Sequence, residues 1–151
     1  MTPGVAETAA IAQVIASVGM FGVIWIVQVV HYPLMRFAAG REFTDFETEH
    51  RQRISWVVGP LMTVEGLCVL AFVFAPPAGL SWWLPWAGAA AEAVAIGTTA
   101  FVSAPLHVRL NAHFDPATLD RLIATNWIRT LAWTARAGLA VAMLVGVLRL
   151  S

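Results

Sequence analysis

Lysine is absent from this chain, cysteine occurs once, and only 12% of the residues are charged. Each scarcity removes a class of function. Without lysine there is neither a Schiff-base lysine of the retinal kind nor a Walker phosphate lysine. With Cys68 alone there is no intramolecular disulfide, CxxC redox pair, thiolate cluster or c-type haem attachment. Cys68 also lies inside an apolar run, so it says nothing about redox compartment. Nine acidic and nine basic side chains give a formal net charge of zero, and without a basic excess nothing points to nucleic acid.

Apolar residues are what the chain has in abundance, 59% of 151, against ~45–50% in ordinary soluble domains. They gather in four stretches, approximately residues 8–31, 54–75, 82–106 and 123–150, and a membrane crossing needs about 20 residues. The expected fold is all-α. It is an integral membrane four-helix bundle, one transmembrane domain over residues 1–151, with an interfacial amphipathic helix between spans one and two. That helix is read from the polar segment 41–53, where Phe43 and Phe46 stand three apart. It would run on into span two unless Gly59 and Pro60 bend it. No basic residue precedes span one, which is longer than a signal-peptide core, so it is expected to be retained. Arg36, Arg41, Arg51, Arg53, Arg109 and Arg121 follow spans one and three, and only Arg149 lies on the other side. For a bacterial inner-membrane protein, which is the expected location, the positive-inside rule makes those two loops cytoplasmic and puts both termini outside.

Every span carries a polar face. Gln13, Ser17, Gln28 and His31 fall within a ~60° sector of span one. Pro33 biases Tyr32 away from helical geometry, so this helix is expected to kink or end there. In span two, His50, Val57, Leu61, Glu65 and Cys68 would share a face. In span three, Glu92, Thr99, Ser103 and His107 fall within about 80°. Asn126, Arg129, Thr130, Trp133 and Arg136 cover an arc of ~120° in span four. Trp82, Trp83 and Trp86 read as an interfacial aromatic belt, and Ala89, Ala93 and Gly97 as a small-residue ridge open to another helix. Asp115 and Pro116 mark a helix start.

Glu65, Glu92 and Arg136 are the deep charges, each costing about 2.5–3.5 kcal/mol on insertion scales. At ~1.5 Å per residue they lie about 16, 21 and 20 Å from the arginine-rich end. They can meet, and Arg136 is expected to pair with Glu92 or Glu65, the second carboxyl being protonated or hydrated. All four histidines, His31, His50, His107 and His113, lie at or near that same end. Three imidazoles from three helices with Glu47 or Glu65 make an adequate ligand set for zinc, iron or copper. Glu47 and His50 also have the Glu-x-x-His spacing of di-iron bundles, which need two such pairs.

Gln28 with His31-Tyr32-Pro33, His50 followed by Ile54, Pro60, Met62 and Glu65, Pro105-Leu106-His107, and Asn126-Trp127 with Arg129-Thr130, Trp133 and Arg136 form a pattern covering most of the chain. It resembles a family of uncharacterised bacterial four-span membrane proteins. The resemblance implies the four-span architecture and brings no activity with it. In size and span count the chain is also similar to anthrone-oxygenase-like membrane proteins, with which it shares no motif.

Three functional expectations follow, from different classes. The leading one is a membrane-embedded metal-dependent enzyme, of redox type, acting on a hydrophobic or amphiphilic small molecule that enters from the lipid bilayer. His31, His50 and His107 would hold iron, zinc or copper, or haem iron. Glu65 would be a ligand or proton acceptor, and Asn126 and Arg129 would place substrate or an oxyanion. The second is a metal-free binding or transport module in which Glu65, Glu92 and Arg136 handle protons or an ion. The third is a structural subunit of a membrane complex, or a homo-oligomer, docked through the ridge on span three.

Overall fold

The computed structural model describes residues 1–38 and 42–150, so Arg41, counted above with the first loop, lies outside them. Among the described residues there is no strand. Four helical rods, Pro3–Ala38, Phe43–Phe74, Trp83–Ala112 and Pro116–Leu148, are each long and apolar enough to cross a membrane.

The first rod is α1 (Pro3–Ile26), a π turn (Val27–His31), α2 (Tyr32–Leu34) and a 3-10 turn (Met35–Ala38). Contrary to expectation, Pro33 neither ends it nor expels Tyr32 from helical geometry, which has φ −63° and ψ −43°. A proline inside a helix donates no N–H and its ring presses on the carbonyl four residues back, here Val29. In the π turn the Tyr32 N–H bonds instead to the Val27 carbonyl, five residues back. The wider turn eases the proline ring past the backbone and keeps the rod continuous.

The second rod is the single helix α3 (Phe43–Phe74), which passes through Pro60. Residues 43–53 are its first turns rather than a helix of their own. Phe43, Glu47, Glu65, Cys68 and Phe72 are buried along it, whereas Val57 is 49% exposed and leaves the face expected for it. The third rod repeats the device of the first: α4 (Trp83–Thr98), a π turn (Thr99–Ser103) and α5 (Ala104–Ala112). Here the Ala104 N–H reaches Thr99, and Pro105 follows. Each π turn thus ends two residues before a proline, and π turns inside helices are frequent at functional sites.

The fourth rod, α6 (Pro116–Leu148), starts where expected. Asp115 accepts from the Ala117 and Thr118 amides at 3.3 and 3.0 Å and from the Thr118 hydroxyl at 2.6 Å, with Pro116 at the first helical position. The Thr118 hydroxyl, then the two amides, hold the Asp115 carboxyl below the usual range. This cap satisfies helix-end donors that would otherwise lack partners.

Helix α6 lies against α1 and α4, and α1 also packs on α3. Apolar clusters fill the bundle at three levels: around Phe72 and Met143, around Met20 and Trp133, and around Tyr32, Leu106 and Leu119. Gln13, Ser17, Glu65, Glu92, Asn126 and Arg136 are buried with them, while Ile15, Trp56, Leu67, Phe101 and Leu131 face outward. That is the reverse of a water-soluble bundle. Trp82, Trp83 and Trp86 are exposed together beside a turn in which Gly79 adopts φ +89°. The ridge on α4 also looks outward: Ala93 is exposed and a Cβ on Gly97 would meet nothing within 4 Å.

Candidate functional site

Two polar layers cross the bundle. The first gathers His31 from the end of the first π turn, His50 from α3 and His107 from α5. The ring of His31 stacks on His50, with centroids 4.2 Å apart and planes 27° from parallel, and on Phe46 at 5.9 Å. The centroids of His50 and His107 are 5.6 Å apart. His107 is held at both ring nitrogens, Nδ1 lying 2.5 Å from Glu47 Oε1 and Nε2 2.9 Å from the Tyr32 hydroxyl. Glu47 and Tyr32 are buried. The three side chains form an unbroken chain across three rods.

Beneath Tyr32 and His107 lies a cavity of 240 Å³, which Arg129 and Ser103 also line. A wider groove of 510 Å³ runs along the outside of the His31 and His50 stack, and both spaces touch Val23, Val27, His50 and Ile54. These side chains therefore stand between the cavity and the outer face of α1 and α3.

Arg129 is fixed from behind by three amides pointing one way. Gln28 donates to the Ile123 carbonyl at 3.2 Å, Asn126 Nδ2 donates to Gln28 Oε1 at 2.8 Å, and Arg129 Nη1 donates to Asn126 Oδ1 at 2.9 Å. Asn126 thus positions the guanidinium rather than facing the cavity itself.

The second layer is centred on Arg136. Its Nη2 lies 2.7 Å from Glu65 Oε2 and its Nε 3.6 Å from Glu92 Oε2, all three groups being buried. Ser17 donates to the other oxygen of Glu65. The Gln13 amide, turned with its oxygen toward the guanidinium, accepts from Nη1 and Nη2 at 2.8 and 3.0 Å. The lack of a side chain on Gly88 makes room, since a Cβ there would come within 3.1 Å of Nη1.

Of the residues singled out from sequence, His31, His50 and His107 come together. Arg129 joins them and His113 stays exposed in the turn. Glu65 does not join them. It is tied to Arg136 and Ser17, fifteen residues and so about 22 Å further along α3 than His50. Glu47 turns to His107 rather than forming a pair with His50. Among the described residues no three His, Cys, Asp or Glu side chains are arranged to hold a metal ion. The geometry gives the reason. Imidazole lone pairs lie in the ring plane, so stacked rings direct them side by side rather than at one point. Tyr32 is the member that sequence reasoning passed over as a mere neighbour of proline. As the chain's only tyrosine, set between a histidine and a helical proline, it carried a signal of its own.

Comparison of the chain with known protein families, curated proteins and solved structures finds no match.

Proposed function

We propose that this protein is a membrane-embedded acid–base site for a small hydrophobic or amphiphilic molecule. The four rods span a bacterial inner membrane with both termini outside and the first turns of α3 at the cytoplasmic interface. The outward apolar surface and the arginines clustered at the histidine end support that placement. The molecule enters from the bilayer between α1 and α3, and its polar head lies in the 240 Å³ cavity. Glu47, His107 and Tyr32 then move a proton to or from the molecule at an atom beside that head. A Glu47 carboxylate can only accept, so it holds the proton on Nδ1 and leaves Nε2 to receive one from Tyr32. That chain of contacts, ending on a cavity, is the observation that carries the reading.

The entry route is tested by photolabelling in proteoliposomes with a medium-chain alcohol bearing a diazirine. Residues 23–27 and 54–58 should be tagged, and Val58→Trp, which fills the cavity, should remove most of that label. Label confined to outward residues such as Leu67 and Phe101 would sink the proposal.

Two observations favour a metal instead. His31 Nε2 is buried with no hydrogen-bond partner among the described residues, and Glu47 grips His107 Nδ1 in the way carboxylates orient metal-binding histidines. Iron, zinc or copper, or haem iron, on His31, His50 and His107 would supply Lewis-acid or redox chemistry. It would require one stacked ring to turn and Tyr32 to release His107. Elemental analysis of protein purified without metal-affinity resin separates the readings. The acid–base site is expected to contain no stoichiometric metal and to keep its metal content unchanged in His31→Ala, whereas the metal reading requires about one metal per chain, lost in that variant.

A further inference from the structure

We infer that the head group taken by the cavity is a carboxylate carried on a short apolar tail, bound by Arg129 and Ser103. The inference rests on the proposal that the cavity takes amphiphiles and narrows it to acids.

Arg129 is 9% exposed and its guanidinium does not give up its charge. Its Nη1 is met by a neutral amide, the Tyr32 hydroxyl stands beside the guanidinium, and its Nε has no partner among the described residues. Among the described residues no carboxylate forms an ion pair with it. The contrast with Arg136, which faces two carboxyl groups, is sharp. A buried charge without a partner is expensive, and the acid of this layer, Glu47, has its Oε1 bound to His107. Ser103, 1% exposed, lines the same cavity, and its Oγ also lacks a partner among the described residues. A guanidinium N–H and a hydroxyl left idle on two residues that line one cavity call for a ligand with acceptor atoms and negative charge.

The remaining wall sets the tail. Met20, Val23, Ile24, Val27, Ile54 and Val58 are apolar, and Arg51 adds a second cation at the lining. A volume of 240 Å³ falls below the ~300 Å³ at which drug-sized sites begin. It holds a head group with a short chain or a single ring, the rest of a longer molecule passing out between α1 and α3.

Calorimetry on the purified chain in neutral detergent, with octanoate against octanamide as probes, tests this. Octanoate should bind about tenfold or more tightly than the amide, as one charge-assisted hydrogen bond requires. Arg129→Gln should erase that preference while keeping amide binding, and Ser103→Ala should weaken octanoate by a few fold. Equal binding of acid and amide by the wild-type chain overturns the inference while leaving the amphiphile cavity standing. If neither binds, positive photolabelling confines the failure to this inference, and negative photolabelling removes the cavity reading as well. Should Arg129→Gln fail to fold, the wild-type comparison still decides.

Discussion

Arg136→Leu is expected to abolish the folded protein. Leucine fits the hydrocarbon volume, but it leaves Glu65 and Glu92 facing each other with no cation, both buried. Removing one member of a buried ion pair typically costs about 3–5 kcal/mol, because the partner's charge is left uncompensated. Here two carboxyl groups are left, and a whole domain is stable by only ~5–15 kcal/mol. Glu92→Gln should behave in the opposite way. Glu92 is the more distant of the two acids, at 3.6 Å, and among the described residues neither of its oxygens has a hydrogen-bond partner. One guanidinium neutralises one carboxylate, so changing the second acid to an amide removes no charge that the pair requires. Glu65→Ala should fall between them, since Arg136 keeps Glu92 and Gln13 while Ser17 loses its acceptor. Yield of monodisperse protein in detergent and thermal denaturation would rank the three. An Arg136→Leu variant as stable as wild type would falsify the view that this layer holds the bundle together. Loss of fold in Glu92→Gln would show that both acids are ionised and needed.

The layer around Arg136 was legible in the sequence because depth along a helix is a matter of counting. Glu65, Glu92 and Arg136 were each countable from a helix end, and their meeting followed from three helices sharing a bundle. The convergence of His31, His50 and His107 was legible for the same reason, each sitting where a polar stripe reached the arginine-rich end. What failed was azimuth. Pro33 was read as kinking or ending its helix and Pro105 was given no effect on span three, whereas each is accommodated by a π turn that inserts one residue and rotates everything beyond it. That rotation brings Tyr32 inward onto His107, where a rule about the residue before proline gave it no role. Glu65 was misplaced by a related simplification. A shared helix face with His50 does not mean a shared site when the two are separated by about four turns. Local sequence carries distance along a rod well; the direction a side chain takes after an irregular turn depends on hydrogen bonds between residues far apart in the chain.

Glu47→Leu should reverse the direction of the proton chain. With Glu47 in place, its carboxylate accepts from His107 Nδ1 at 2.5 Å, so Nε2 is bare and accepts from Tyr32 at 2.9 Å. Leucine offers Nδ1 no acceptor. A buried N–H without one costs about 1–3 kcal/mol, enough to drive the ring to its other tautomer, in which Nε2 carries the proton and donates to the Tyr32 oxygen. Stability should fall by a similar amount, and the ¹⁵N spectrum of histidine-labelled protein should show His107 Nε2 passing from an unprotonated to a protonated nitrogen. Tyr32→Phe is the matched control: it removes the other contact, leaves Glu47 holding Nδ1, and should keep Nε2 unprotonated. With Nε2 already protonated, the imidazole can no longer draw a proton from Tyr32, so a reaction that depends on that transfer stops. Octanoate binding should survive, because Arg129 and Ser103 do not touch Glu47. Unchanged nitrogen signals in Glu47→Leu would mean that Glu47 does not set the tautomer, and the acid–base reading would lose its first link.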